Sequence, residues 1–132
     1  MILKSDVMPM LLAACPSFGT PWEAYSAEPE YEVGLVYLHL GEYARHLVAL
    51  WRTAQTAEFR RVFDAVERLH VEGDDYVQEA ATIGLLEGLQ NNAEYAGIDP
   101  EVFRPYLRPE SSRWWVALNR FWAGEIPSVH VE

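Results

Sequence analysis

The sequence predicts an all-α fold, a compact bundle of five to six helices, and three observations support this. Apolar residues recur at spacings of three and four over residues 35–123, the period of a helix with one buried face. Proline, glycine and capping side chains separate these stretches, as is typical of helix ends. Only residues 33–37 suggest a strand, and that stretch is short. The 132 residues are predicted to form one domain, since domains commonly contain about 100–150 residues.

The N-terminal third is predicted to contain a short helix followed by a long connection. Ser5 is suited to cap this helix, and Pro9 falls within about its first turn, where proline is tolerated. Residues 16–34 are rich in proline, glycine and glutamate, a composition typical of connections. One turn of helix is expected inside this connection, around residues 22–25.

Two amphipathic helices are predicted next, over residues 35–52 and from Thr56 to Gly73. Thr56 is a good N-cap for the second helix, and Gly73 suits the position just after its last turn. The apolar stripes that they are expected to bury are Leu40, Tyr43, Ala44, Leu47, Val48 and Trp51 in the first, and Phe59, Val62, Phe63, Val66, Leu69 and His70 in the second.

The following helix, predicted for about residues 75–92, is expected to lie at the centre of the bundle. It is apolar on most sides, which is typical of a helix surrounded by others. Ala80, Gly84 and Gly88 recur at intervals of four residues, and two helical glycines together cost about 2 kcal/mol relative to alanine. Close approach of a neighbouring helix backbone would explain why that cost is tolerated.

Two C-terminal helices complete the predicted bundle. Asp99 caps a short helix that has Pro100 at its first position. The last helix spans about residues 110–123 and stops at Gly124, and residues 125–132 form a tail that is compatible with extended chain. The side chains that the last helix is expected to bury are Trp114, Trp115, Leu118, Phe121 and Trp122.

The charge distribution is the most informative feature for function. Acidic residues outnumber Lys and Arg by 20 to 10, which argues against a free-standing nucleic-acid binder because such a protein needs a basic face. Residues 5–44 contain six acids and residues 72–101 contain eight, and neither stretch contains a Lys or Arg. Helix capping explains about half of these acids. The remainder predicts an acidic surface that either attracts a basic protein or only keeps the chain soluble.

No catalytic motif is found, so the chain is predicted not to be an enzyme and to need no cofactor. His39, Glu42 and His46 share one helix face and form a weak alternative metal site. Zinc needs three or four ligands, and di-iron bundles need Glu-x-x-His on two helices, whereas this chain has the reverse order once. A surface pair of Glu42 and His46 is therefore the favoured interpretation.

Two single residues are weighed for chemistry. Glu87 lies in the most apolar helix and is expected to be an anchor, held by an arginine or by helix-end donors, rather than a general acid with a raised pKa. Cys15 has no charged neighbour and is expected to be inert. As the only cysteine it excludes an internal disulfide and is typical of a reducing compartment.

Residues 62–91 resemble a family of small acidic bacterial helical proteins of unassigned function, as do residues 41–47 and 103–115. The resemblance covers most of the chain. It implies a compact helical fold and suggests a HEAT-like antiparallel helix pair over residues 58–92. Proteins of this kind look like immunity partners of secreted toxins, and this step is an analogy because fold does not imply function.

The leading hypothesis is a non-enzymatic cytoplasmic protein that occludes a basic toxin domain with an acidic face. The residues expected to bind this partner are Asp74, Asp75, Glu79, Glu94 and Glu101. No apolar run approaches the roughly 18–20 residues of a membrane span, and Asp6 and Pro9 interrupt the apolar run before a lipoprotein-like box at residues 12–15. The alternatives are a small-molecule or metal-binding helical protein and a structural scaffold with a peptide groove.

Overall fold

The computed structural model describes residues 1–131, and this part of the chain is mostly helical. It contains seven α-helices and no β-strand, and residues 33–37 lead into a helix instead. The helices are α1 (Val7–Ala14), α2 (Gly19–Ser26), α3 (Val36–Arg52), α4 (Phe59–Glu72), α5 (Asp75–Glu79), α6 (Glu87–Tyr95) and α7 (Pro109–Trp122). A π-helical segment, Ala80–Leu86, joins α5 to α6 without interruption, and 3₁₀ turns cover Lys4–Asp6, Pro16–Phe18 and Pro100–Tyr106. The predicted all-α class is confirmed, with seven α-helices rather than five to six.

We call α5, the π segment and α6 together the central helix, and its main neighbour is α3. A Cβ atom on Gly84 would lie only 2.7 Å from Leu40 Cδ1, and one on Gly88 would lie 3.4 Å from the Cβ of Ala44. The close approach predicted from the small-residue line is therefore confirmed. A larger side chain at Gly84 would push Leu40 out of its position in the core.

The second layer of packing forms around α4, which contacts both α1 and α7. The apolar stripe predicted for α4 is buried along its whole length. The junction after α4 is tied to the N-terminus, because Ile2 N–H donates to the Glu72 carbonyl at 2.8 Å and Asp74 N–H donates to the Ile2 carbonyl at 3.0 Å. Gly73 at this junction has extended backbone, and a Cβ there would lie 2.4 Å from the Leu69 carbonyl oxygen.

Two predicted helix starts are wrong. The first helix begins at Val7 after a 3₁₀ turn, and Ser5 makes no capping bond. Asp6 closes that turn instead, since its carboxylate accepts from Leu3 N–H at 2.9 Å. The fourth helix begins at Phe59, because the chain after Thr56 still forms a turn.

Residues 16–34 are only in part the connection that their composition predicts. Their first half forms a 3₁₀ turn and α2, and Phe18 between them is 1% exposed. The Phe18 ring packs edge-on against Tyr43 of α3 with centroids 5.1 Å apart. A buried aromatic ring removes about 150–250 Å² from water, enough to anchor a segment whose composition favours loops.

The C-terminal third agrees with the prediction except in two respects. Asp99 caps as expected and accepts from Glu101 N–H at 3.0 Å, but the segment that follows is a 3₁₀ helix rather than an α-helix. On α7, Trp115 is fully buried as predicted. Trp114 and Phe121 are only half-buried, and Trp122, the last residue of α7, is 59% exposed rather than part of the core.

Candidate binding clefts beside α7

Two clefts lie between the central helix and α7, and we name each after its tryptophan. The Trp114 cleft has a volume of about 550 Å³ and the Trp122 cleft about 510 Å³, both within the range of ligand pockets. Among residues 1–131, each is lined by three carboxylates and by no Lys, Arg or His. The carboxylates are Asp75, Glu79 and Glu87 in the Trp114 cleft, and Glu94, Asp99 and Glu101 in the Trp122 cleft.

Apolar side chains from three parts of the chain form much of the remaining wall of the Trp114 cleft. Trp114 and Phe121 lie seven residues apart on α7 and so share one face over two turns. Ile83 of the central helix and Val129 of the tail also line the cleft. Ile126, just before these tail residues, is only 8% exposed, so the start of the tail is packed against the protein. Residues 127–129 of the tail therefore contribute to the cleft wall, which their sequence did not predict.

Glu87 lines the Trp114 cleft without the partner that the sequence predicted. Its carboxylate is half-buried, and it forms no hydrogen bond or ion pair within the described residues. Burial raises the pKa of the Glu87 carboxyl, because removal from water disfavours the charged form. The side chain is thus a partly desolvated carboxylate facing an apolar cleft rather than an anchor.

Behind the Trp114 cleft, a buried chain of hydrogen bonds joins the π segment, α4 and α7. His70 Nδ1 lies 3.1 Å from the Val66 carbonyl, which can only accept, so this nitrogen carries the proton. His70 Nε2 then accepts from the Thr82 hydroxyl at 3.0 Å. Nδ1 also lies 2.9 Å from the hydroxyl oxygen of Ser111, and Ser111 donates to Glu67 at 2.9 Å.

Glu67 holds the start of α7 in place from outside that helix. Its carboxylate accepts from the backbone N–H groups of Glu110 and Ser111, each at 2.9 Å. Partial burial raises the pKa of the Glu67 carboxyl, but these N–H donors and the Ser111 hydroxyl outweigh it and lower the pKa overall. Glu67 therefore acts as an N-cap supplied by another helix.

The order Thr82–His70–Ser111–Glu67 resembles a nucleophile, a base and orienting groups, but its chemistry does not suit catalysis. Burial lowers the pKa of His70 to about 4, and a general base works best with a pKa near the working pH. The Thr82 side chain is also enclosed, with the residue only 2% exposed. We interpret this chain of hydrogen bonds as structural and call it the buried tie, because it fixes the position of the helices that form the cleft walls.

Four of the five acids predicted to bind a partner lie in the two clefts. Asp75 and Glu79 line the Trp114 cleft, and Glu94 and Glu101 line the Trp122 cleft. Asp74 does not join them, because its carboxylate caps the central helix by accepting from Val77 N–H at 2.9 Å.

The four acids differ in whether they already have partners. Glu101 accepts from the Trp115 indole N–H and from Arg104 at 3.1 Å. Asp75, Glu79 and Glu94 form no ion pair within the described chain. These three carboxylates are therefore available to a cationic partner.

The three residues of the alternative metal site are each bound to separate partners. His39 is buried; its Nε2 donates to the Val33 carbonyl at 3.3 Å, so its Nδ1 accepts from the Tyr25 hydroxyl at 2.7 Å. Glu42 pairs with Arg45 rather than with His46, whose Nε2 lies 2.9 Å from a serine hydroxyl. Over residues 1–131, no three His, Cys, Asp or Glu side chains are placed to hold a metal ion.

The environment of Cys15 is consistent with its predicted inert character. The side chain is fully buried at the end of α1. Burial raises the pKa of the thiol, and the nearby Glu58 carboxylate acts in the same direction. Since the thiolate is the nucleophile, a raised pKa makes the thiol unreactive at neutral pH.

A family model described as a domain of unknown function, DUF7674, matches residues 8–123. The chain belongs to this family. No curated protein and no solved structure matches it. The matched region of this DUF7674 protein includes all six cleft carboxylates, whereas Val129 of the cleft wall lies beyond it. Within the described residues, no helix of the DUF7674 protein is both long and apolar enough to cross a membrane.

Proposed function

We propose that this DUF7674 protein is a non-enzymatic cytoplasmic binding module that engages a basic protein through the two acidic clefts between the central helix and α7. One observation carries the proposal: both clefts are lined by three carboxylates, and among residues 1–131 no Lys, Arg or His lines either cleft. If a partner covered these carboxylates without supplying cations, the loss of their hydration would oppose binding. Lys and Arg side chains on the partner would offset this cost by pairing with the carboxylates.

The overall charge supports the same kind of partner. The net charge of −10 creates a field that attracts a basic protein and accelerates its association. The apolar part of the Trp114 cleft supplies the contact area that charge alone does not, because buried aromatic and arginine anchors dominate most interfaces. The clefts therefore combine attraction at long range with an anchor point at short range.

We extend the proposal to the partner suggested by the resemblance, a basic toxin domain that the protein inhibits by occlusion. What supports this step is the charge of the clefts, which matches a toxin surface that would otherwise hold phosphate. Co-expression with the polypeptide encoded beside this gene tests it directly. Growth that depends on the wild-type protein supports inhibition, and growth arrest in its presence contradicts it.

The binding proposal is tested by affinity capture with two charge-matched triple variants. The cleft variant Asp75→Asn, Glu79→Gln, Glu87→Gln removes three negative charges from the Trp114 cleft. The control variant Glu23→Gln, Glu28→Gln, Glu30→Gln removes three charges from exposed side chains elsewhere.

Wild-type and control protein should capture the same basic partner from the native host, and the cleft variant should lose it. Removing one member of a desolvated interfacial charge pair typically costs about 2–5 kcal/mol, so the loss should be nearly complete. Equal capture by the cleft and control variants would contradict the proposal, as would no captured protein at all.

A further inference from the structure

The acids of the Trp114 cleft follow one ridge of the central helix. Asp75, Glu79, Ile83 and Glu87 recur at intervals of four residues, and all four line the cleft. In a regular α-helix a spacing of four drifts by about 40° per step around the axis. The wider turns of the π segment, Ala80–Leu86, counter that drift between Glu79 and Glu87. The π segment thus keeps both carboxylates on the same cleft.

The side facing this ridge is aromatic. Trp114 and Phe121 on α7 both line the cleft, and Trp114 is half-exposed, so its indole is open to a ligand. An indole face attracts a cation more strongly than the ring of Tyr or Phe does. The cleft therefore offers two features together, carboxylates on one helix and an aromatic surface on the other.

Resting on the proposed function, the geometry points to an arginine side chain of the basic partner as the ligand of the Trp114 cleft. The guanidinium group would bond to the carboxylates of Glu79 and Glu87 and stack on Trp114. An apolar residue beside the arginine would contact Ile83 and Phe121.

The chemistry of the lining selects arginine over other ligands. A planar guanidinium both stacks on an indole and forms two parallel bonds to a carboxylate, whereas a lysine ammonium acts as a point charge. An anion is disfavoured because within residues 1–131 no basic side chain lines the cleft. Glu87 has no hydrogen-bond partner in the described chain, and a guanidinium would supply one.

The volume of the cleft is large enough for an arginine side chain together with a neighbouring apolar residue. About 550 Å³ is more than a single side chain fills, and it lies within the range of small-molecule pockets. A dipeptide-sized fragment is therefore a suitable probe. We choose N-acetyl-Leu-Arg-amide, with N-acetyl-Leu-Lys-amide and N-acetyl-Leu-norleucine-amide as matched probes that change only the second side chain.

Binding is followed by the ¹⁵N–¹H indole signals of the five tryptophans in the full-length protein. The Trp114 signal is assigned by its loss in Trp114→Phe. The arginine probe at millimolar concentration should move the Trp114 signal and leave Trp22 and Trp51 unmoved. The lysine probe should bind several-fold more weakly, and the norleucine probe should produce no shift.

Two variants locate the guanidinium, and one serves as the control. Glu87→Gln and Glu79→Gln should each weaken the arginine probe about tenfold, the loss of one charge-assisted bond. Glu23→Gln removes the same charge from an exposed side chain of α2 that does not line the cleft, and it should leave the affinity unchanged. Dispersed indole signals verify that each variant is folded, and exposed Glu79 keeps the test valid if Glu87→Gln unfolds the protein.

Three results would overturn the inference: a Trp114 signal that the arginine probe does not move, an equal response to norleucine, or equal affinity for lysine. Its failure is distinguishable from failure of the proposed function. If the probe does not bind while the cleft variant still loses a captured partner, the binding module stands and the arginine anchor is wrong. If the probe binds and no protein is captured, the cleft recognises guanidinium and the protein-binding proposal fails.

Discussion

The two acid-rich stretches that lack Lys and Arg have the same charge pattern and different structural outcomes. In residues 5–44, four glutamates are exposed on α2 and the loop after it, and none of them lines the Trp114 cleft or the Trp122 cleft. In residues 72–101, six of the eight acids line those clefts. The difference arises because α7 packs against the second stretch. A run of carboxylates therefore indicates a binding site only where another element builds a wall beside it.

The largest expected effect on stability tests whether the first acid-rich stretch, residues 5–44, is firmly packed against the core. Phe18→Ala should lower the free energy of unfolding by about 3–5 kcal/mol, because it removes a fully buried ring from the core. Glu30→Ala in the exposed loop should change it by less than about 0.5 kcal/mol. Chemical denaturation measures both. A small effect of Phe18→Ala would mean that residues 16–34 are the loose connection that their composition predicts.

The next effect concerns what holds α7 beside the second stretch. Glu67→Ala should cost about 3 kcal/mol, since it leaves two backbone N–H groups and the Ser111 hydroxyl without their acceptor. Hydrogen exchange should show the loss of protection concentrated at the start of α7. Asp64→Ala, on the same helix but in an exposed ion pair with Arg108, should cost less than about 1 kcal/mol. Equal costs for the two variants would contradict the capping role.

An intermediate effect follows from the buried histidine of the same tie. Burial lowers the pKa of His70 to about 4, so between pH 6.5 and pH 4 the unfolded chain binds the proton that the folded chain excludes. The free energy of unfolding is therefore highest above about pH 6.5 as far as His70 is concerned. It falls as the pH decreases, by about 2 kcal/mol between pH 7 and pH 5. Denaturation midpoints across this range measure the slope.

His70→Gln should remove most of that slope. Desolvation also lowers the pKa of His46, and this adds a smaller contribution in the same direction because His46 is only half-buried. His46→Gln should therefore leave most of the pH dependence in place. A slope that persists in His70→Gln and disappears in His46→Gln would reverse this assignment.

The smallest effect distinguishes neighbouring acids within the second stretch. Asp74→Ala should cost about 1 kcal/mol, because Asp74 caps the central helix. Asp75→Ala should cost only a few tenths of a kcal/mol, since Asp75 has no ion pair within residues 1–131 and its charge interacts with the helix dipole. Thermal unfolding of both variants compares them directly. The ranking would be refuted if Asp75→Ala proved the more destabilising of the two.

Much of the fold could be predicted from the sequence because the forces involved are local. Apolar spacing located α3, α4 and α7 to within a few residues, and Asp74 and Asp99 cap as their positions suggested. The small-residue line correctly indicated the close packing around Gly84. Each of these signals depends on residues within a few turns of one another.

The clefts could be predicted only in part. Four of the five named acids reach them, but Glu87 was expected to be an anchor, and Trp122 was expected to be buried. The four-residue spacing of Asp75, Glu79 and Glu87 was visible in the sequence and could have shown that they share a side. Nothing in the sequence indicated the π segment that keeps them aligned.

The sequence by itself determined the helical class, the position of the central helix and the excess of negative charge. Only the tertiary structure decided which carboxylates share a cleft, because that depends on α7 and the tail packing beside a helix far from them in the chain. The tie from Thr82 through His70 to Ser111 has the same character, with partners 12 and 41 residues apart. Local periodicity contains no information about such pairs, because each residue fits its own helix equally well whether or not the distant partner is present.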